Sequence, residues 1–207
     1  EGNRRCIKGN RGDGEESEGR EMKTLLHIYT RLEWRQWLEQ NFRSEKEAWL
    51  VFPAKSTGKA GILYNDAVEE ALCFGWIDSI RKRVDAGHTA QRFSPRKPTS
   101  SYSQPNRERL RWLAANNLLH PEIVERVRDV LSEPFVYPPD IVTALQQDEV
   151  TWRNFQNFSE SYKRIRIAYI QDARNRPGEF EKRLRNFLAK SGQNRKIRGH
   201  GGVEKYY

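Results

Sequence analysis

Sulfur is scarce in this sequence: 207 residues hold one methionine and two cysteines, Cys6 and Cys73. Two thiols cannot build the multi-bridge framework that staples small secreted domains. The four histidines, at 27, 88, 120 and 200, fall in no HExxH pattern and no CxxC pair occurs, so the common zinc geometries lack ligands. A glycine-rich phosphate loop and a Gly-x-Ser-x-Gly elbow are also missing, which removes the motif-based routes to nucleotide binding and serine hydrolysis. No apolar run nears the roughly 20 residues a membrane helix requires, and no charged-then-apolar leader is seen. The expectation is a soluble, cytoplasmic protein with neither metal nor cofactor.

What is present is aromatic and basic. The hydrophobic share is only 36%, yet 6 Trp, 8 Tyr and 9 Phe supply large buriable surfaces. Lys and Arg total 37 against 28 Asp and Glu, a formal charge of +9, and the pI is near 9.7. That balance favours anionic partners. The length suits one compact unit. The sole methionine is Met22, and Glu1 to Glu21 before it has almost nothing to bury. Residues 1–21 therefore read as an artificially added or upstream leader, disordered unless docked, Met22 as the native start, and Cys6 as no part of the fold.

Hydrophobic periodicity divides the rest. Leu25 to Tyr29 reads as a strand, and Thr30 to Glu33 (TRLE) matches a capping box that opens a helix ending near Asn41, with Trp34, Trp37, Leu38 and Phe42 on its inner face. Ala48 to Phe52 (AWLVF) is too short for a helix and suits a strand buried on both faces. Asn65 is placed to cap a second helix, stopped by Gly75 in a left-handed conformation. Ser79 to Val84 and Thr89 to Phe93, with turn chemistry from Asp85 to His88, predict a β-hairpin. Ser94-Pro95-Arg96-Lys97-Pro98 excludes regular structure.

Beyond Asn106 the chain reads as helical. Leu110, Leu113 and Ala114 point inward, Pro121 begins a further helix, and segments at about 140–146 and 149–158, then Tyr162 to Ala173 and Phe180 to Lys190, complete the set. The tail from Gln193 to Tyr207 is loose on composition unless Tyr206 and Tyr207 dock. The predicted fold class is α+β: a small antiparallel-containing sheet with a β-hairpin packed on helices, and a mainly helical C-terminal half. The expected divisions are 1–21, a core of 22–135, a helical region of 136–192 packed on it, and a basic tail of 193–207. Strand order and oligomeric state do not follow from one sequence.

Three segments resemble the YdeI/OmpD-associated (bacteriocin-protection) family: Ala67 to Asp78 (AVEEALCFGWID), Arg92 to Lys97 (RFSPRK), and Ser100 to Asn106. The first two are long, ordered and correctly separated, so coincidence is far rarer than for a short motif. The likeness covers nearly all of Met22 to Ile197. From Trp152 and Phe155 through Ser161-Tyr162-Lys163-Arg164 and Ile170 to Arg183-Leu184, it is similar to the family's helical OmpD-associated region. Tyr102 stands where the family usually has Trp, and Arg174 to Gly178 replaces a Lys-rich segment. The resemblance implies a role in bacteriocin protection or envelope-stress resistance and supplies no catalytic residues.

The hairpin would set Asp78 near its start and Arg92 and Arg96 near its end, forming a polar pocket beside Trp76. Arginine binds carboxylate or phosphate bidentately. The candidate ligand-binding residues for a small anion are therefore Trp76, Asp78, Arg92, Ser94, Arg96, Lys97, Ser100, Tyr102, Ser103 and Asn106. The competing reading makes Asp78 a structural partner of Arg92 or Arg96, with Trp76 and Phe93 as plain core; both stand open here. Cys73, between Leu72 and Phe74, reads as buried and inert rather than as a nucleophile served by His88 or His27.

Nucleic-acid binding is the alternative class, carried by Arg81-Lys82-Arg83, by Lys163, Arg164 and Arg166, and by Arg195, Lys196 and Arg198. Against it, acidic residues interrupt most runs, and Arg107, Arg109 and Arg111 have the spacing of a solvated helix face. Turnover of an anionic small molecule is a second alternative, with no residue assigned to it.

Overall fold

The computed structural model describes residues 25–54, 58, 60–199 and 203–207. Residues 1–24, with Cys6 and Met22, positions 55–57 and 59, and tail positions 200–202 lie outside the described residues.

Strand β1 (Leu25–Leu26) leads into α1 (Arg31–Asn41), then β2 (Ala48–Pro53), α2 (Tyr64–Cys73) and the hairpin of β3 (Trp76–Arg83) and β4 (His88–Pro95). Six helices follow: α3 (Gln104–Ala115), α4 (Pro121–Ser132), α5 (Pro139–Gln146), α6 (Glu149–Asn157), α7 (Glu160–Gln171) and α8 (Pro177–Gly192). The sheet order is β1-β2-β4-β3, with β1 parallel to β2 and the other pairs antiparallel. The architecture is α+β, with a mainly helical C-terminal half. No helix among the described residues is long and apolar enough to cross a membrane.

Local chemistry explains the boundaries. Thr30 Oγ1 accepts from the Glu33 amide while Glu33 accepts from the amides of Thr30 and Tyr29, a complete capping box. That cap takes the backbone of Tyr29, so β1 stops at Leu26 and the predicted strand to Tyr29 is cut short. Strand β2 is buried on both faces from Ala48 to Phe52. Gly75 ends the α2 segment at φ +72°, and an added Cβ would meet Ile123 Cδ1 of α4 at 2.9 Å; only glycine satisfies both demands.

Three expectations need correction. Helix α2 begins at Tyr64 behind Leu63, with no side-chain cap; Asn65 Oδ1 instead accepts from Arg109 Nη2 at 3.2 Å. Strand β4 runs through Pro95, which pairs opposite Trp76 as its last residue, a position where a missing N–H is tolerated. Arg109 is only 4% exposed, so the face bearing Arg107, Arg109 and Arg111 is not uniformly solvated.

Helices α1 to α4 cover one face of the sheet around Trp34, Leu38, Leu50, Leu72, Trp76, Phe93, Leu110 and Ile123. A second cluster of Ile141, Leu145, Phe155, Tyr162, Ile170 and Phe187 fills the C-terminal helices. The two are clamped where buried Glu108 of α3 takes Arg164 of α7 at 2.7 and 2.9 Å, together with Arg111. The tail docks: Val203 and Tyr206 are buried, and the Tyr207 hydroxyl accepts from Arg166 at 2.8 Å.

Candidate functional site

The hairpin register decides which polar groups can meet. Residues directly opposite one another in an antiparallel pair share a face. Asp78 lies opposite Phe93, and Phe93 is in the core beneath the helices. Asp78 therefore points to the helix-covered face, where its carboxylate accepts from the Tyr64 hydroxyl of α2 and from Gln91 Nε2 at 3.5 Å. Burial, then the Asp78 charge, push the Tyr64 hydroxyl well above its usual range.

Arg92 lies opposite Trp49 and turns to the other face, where it donates to Glu47 at 2.8 Å and to Ser79 Oγ at 3.3 Å. Arg96 lies past the end of β4. The expected meeting of Asp78 with Arg92 and Arg96 thus does not occur, because strand alternation sends the first two apart and the third has left the sheet. Trp76 is 1% exposed and donates Nε1–H to the Phe42 carbonyl at 3.2 Å, which makes it core. Ser94 lies opposite Ile77, and Asn106 Oδ1 accepts from Arg109 Nη1 at 2.9 Å.

The remaining candidates do gather. Arg96, Lys97, Ser100 and Tyr102 line a cleft of about 510 Å³ with Gly75, Pro98 and Arg126. The Arg96 amide donates to the Gly75 carbonyl at 2.9 Å, while its guanidinium lies 3.7 Å over the Tyr102 ring and donates to the Ser100 and Ser101 carbonyls. That fixes a cation that no carboxylate neutralises. Pro98 and the Ser100 amide, which donates to the Lys97 carbonyl at 3.0 Å, tighten the loop. The side chains of Lys97 and Arg126 make no ion pair or hydrogen bond among the described residues, although Glu122 on the same helix feels the Arg126 charge. Three cations and no acid line this hollow. Tyr102 is also part of a neighbouring cleft with Ser103, Gln104, Arg107 and Phe135.

Sequence reasoning missed Arg126. Its signal was the stripe of Ile123 and Val127 on α4: Arg126, one turn from Ile123, borders the face that packs on Gly75. Only the tertiary fold brings that border beside the Arg96 loop. Also missed were Glu69 and Glu70, two carboxylates inside an otherwise apolar motif. Glu69, 0% exposed, accepts from Arg31, Lys205 and the Tyr206 hydroxyl, and Glu70 takes Arg31 and Arg35. Burial alone would raise Glu69, but Lys205, Tyr206 and Arg31 together hold it below the ordinary carboxylate range. Burial, aided by the Glu70 charge, pushes the Cys73 thiol up to about 12.

Comparison with known proteins divides the chain in two. Residues 26–126 match a domain of unknown function (DUF8412). Residues 134–194 match the family described as bacteriocin-protection, YdeI or OmpD-associated. Searches of the curated proteins and of the solved structures found no match. The cationic cleft falls in the first region, and Glu108 with Arg164 ties it to the second. Through residues 134–194, under a third of its length, this chain is similar to the family described as bacteriocin-protection, YdeI or OmpD-associated.

Proposed function

We propose that this chain serves bacteriocin protection in the cytoplasm by binding a small anion, phosphate- or carboxylate-bearing, in the cleft of Arg96, Lys97 and Arg126. One observation carries the reading: three cations converge on a hollow without an acid in its lining, and the side chains of two of them make no hydrogen bond or ion pair among the described residues. Like charges gathered without compensation cost stability and are relieved by a bound anion. Tyr102 holds Arg96 flat and the Ser100 and Ser101 carbonyls take Nη2, leaving its Nε–H and Nη1–H groups to donate to an anion. Ser100 supplies a hydroxyl at the rim.

Thermal-shift screening against phosphorylated and carboxylated metabolites tests this, since a ligand selective for the folded state raises its melting temperature. Arg126→Glu, an exposed change, is the control: a hit should stabilise the parent and not the variant. Equal shifts in both, or none in the parent, would overturn the reading.

A nucleic-acid reading draws on β3, an edge strand with Arg81 and Arg83 exposed. The second predicted basic run adds little surface, because Lys163 and Arg166 are buried. A steep fall of log affinity with log salt would favour nucleic acid over a single small anion.

A further inference from the structure

A separate cavity of about 210 Å³ opens between α7 and α8, lined by residues that match the OmpD-associated family together with Ile197 just beyond the match. Ile170, Phe187 and Ile197 give it an apolar floor, and Arg166 and Lys182 stand in its wall. Arg166 is 3% exposed, yet all its acceptors are neutral: the carbonyls of Ile197 and Gly199 at 2.6 and 2.8 Å and the Tyr207 hydroxyl at 2.8 Å. It makes no ion pair among the described residues, and its Nε–H meets no acceptor there. Glu204 feels its charge but spends an oxygen on the Gly199 amide. The neighbouring Arg183 is already neutralised by Glu179 and anchored on the Tyr169 carbonyl.

A buried guanidinium whose hydrogen-bond acceptors are all neutral is costly, and here it borders an apolar hollow. We infer that this cavity binds a small monocarboxylate with an apolar ring or branched chain, the carboxylate toward Arg166 and Lys182 and the apolar body on Phe187 and Ile170. The volume equals that of about seven waters, which suits a benzoate-sized molecule. One buried cation without an ion pair and one rim ammonium, beside the Glu179 carboxylate that also lines the cavity, match a single negative charge better than a di-anionic phosphate.

The test uses benzoate as probe on the full chain, followed by amide chemical shifts, with neutral benzamide of the same shape as comparison. Saturable shifts confined to α7, α8 and the Ile197 segment are expected with benzoate. Lys182→Glu should weaken binding at least fivefold, and Asn186→Trp, which fills the mouth from an exposed position, should abolish it. Neither variant touches the core, so both should melt with the parent, and Arg126→Glu in the other cleft should leave benzoate binding unchanged. Shifts that grow linearly without saturation, that scatter over the chain, or that benzamide reproduces equally would overturn the assignment.

Discussion

Replacing Glu69 of α2 by alanine should cost this protein about 3 kcal/mol of stability. The carboxylate is fully buried and accepts from three donors on two distant segments: Arg31 of α1, and Lys205 and Tyr206 near the C-terminus. Removing one member of a buried ionic network costs about 3–5 kcal/mol, because its partners lose their compensation. Here the lower end applies. Arg31 keeps Glu70, and Lys205, with a side chain 39% exposed, can turn to water. A cost of about 3 kcal/mol corresponds to a drop of roughly 6–12 °C in melting temperature for a domain of this size. Calorimetry on parent, Glu69→Ala and Lys205→Met measures it. Lys205→Met should cost about 1 kcal/mol or less, as for a partly exposed pair. A Glu69→Ala melting temperature within about 2 °C of the parent would refute the reasoning, since 3 kcal/mol cannot hide in so small a shift.

Other expectations follow from the same side chains. Because Glu69 is held below the ordinary carboxylate range in the folded state, its contribution is fully present above about pH 4.3 and is lost as pH falls through the lower folded value. Urea midpoints measured from pH 7 to pH 3 should therefore fall less steeply at the acid end in Glu69→Gln than in the parent. In a Cys6→Ser background, the Cys73 thiol, pushed up to about 12, should resist iodoacetamide at pH 8 in folded protein and react once urea unfolds it. Gly75→Ala should cost about 1–2 kcal/mol for the left-handed backbone alone, with more from the Ile123 contact; denaturant unfolding reads this.

The fold was legible where a local rule acted alone. Thr30 and Glu33 announced a helix start, AWLVF a buried strand, Asp85 to His88 a turn, and Pro121 a first helical position. Where two rules competed, the tertiary one won: Asn65 could cap a helix, but its side chain serves the buried Arg109. The candidate site was legible only as a loop. Arg96, Lys97, Ser100 and Tyr102 lie within one short stretch and meet in one cleft. Asp78 and Arg92 were joined on sequence by proximity across a hairpin, yet pairing alternates faces, and a register shift between Asp78 and Arg81 was not visible in the residues. Arg126 and the Glu69 network required knowledge of which helices touch.

Titration calorimetry with pyrophosphate, on the parent and on Arg126→Glu, asks whether the cationic hollow holds an anion. A direct charge-assisted contact is worth about 1.5–3 kcal/mol, so reversing Arg126 should weaken binding at least tenfold while the melting temperature stays unchanged. Pyrophosphate binding of equal strength to both proteins, or no measurable heat with the parent, would contradict it.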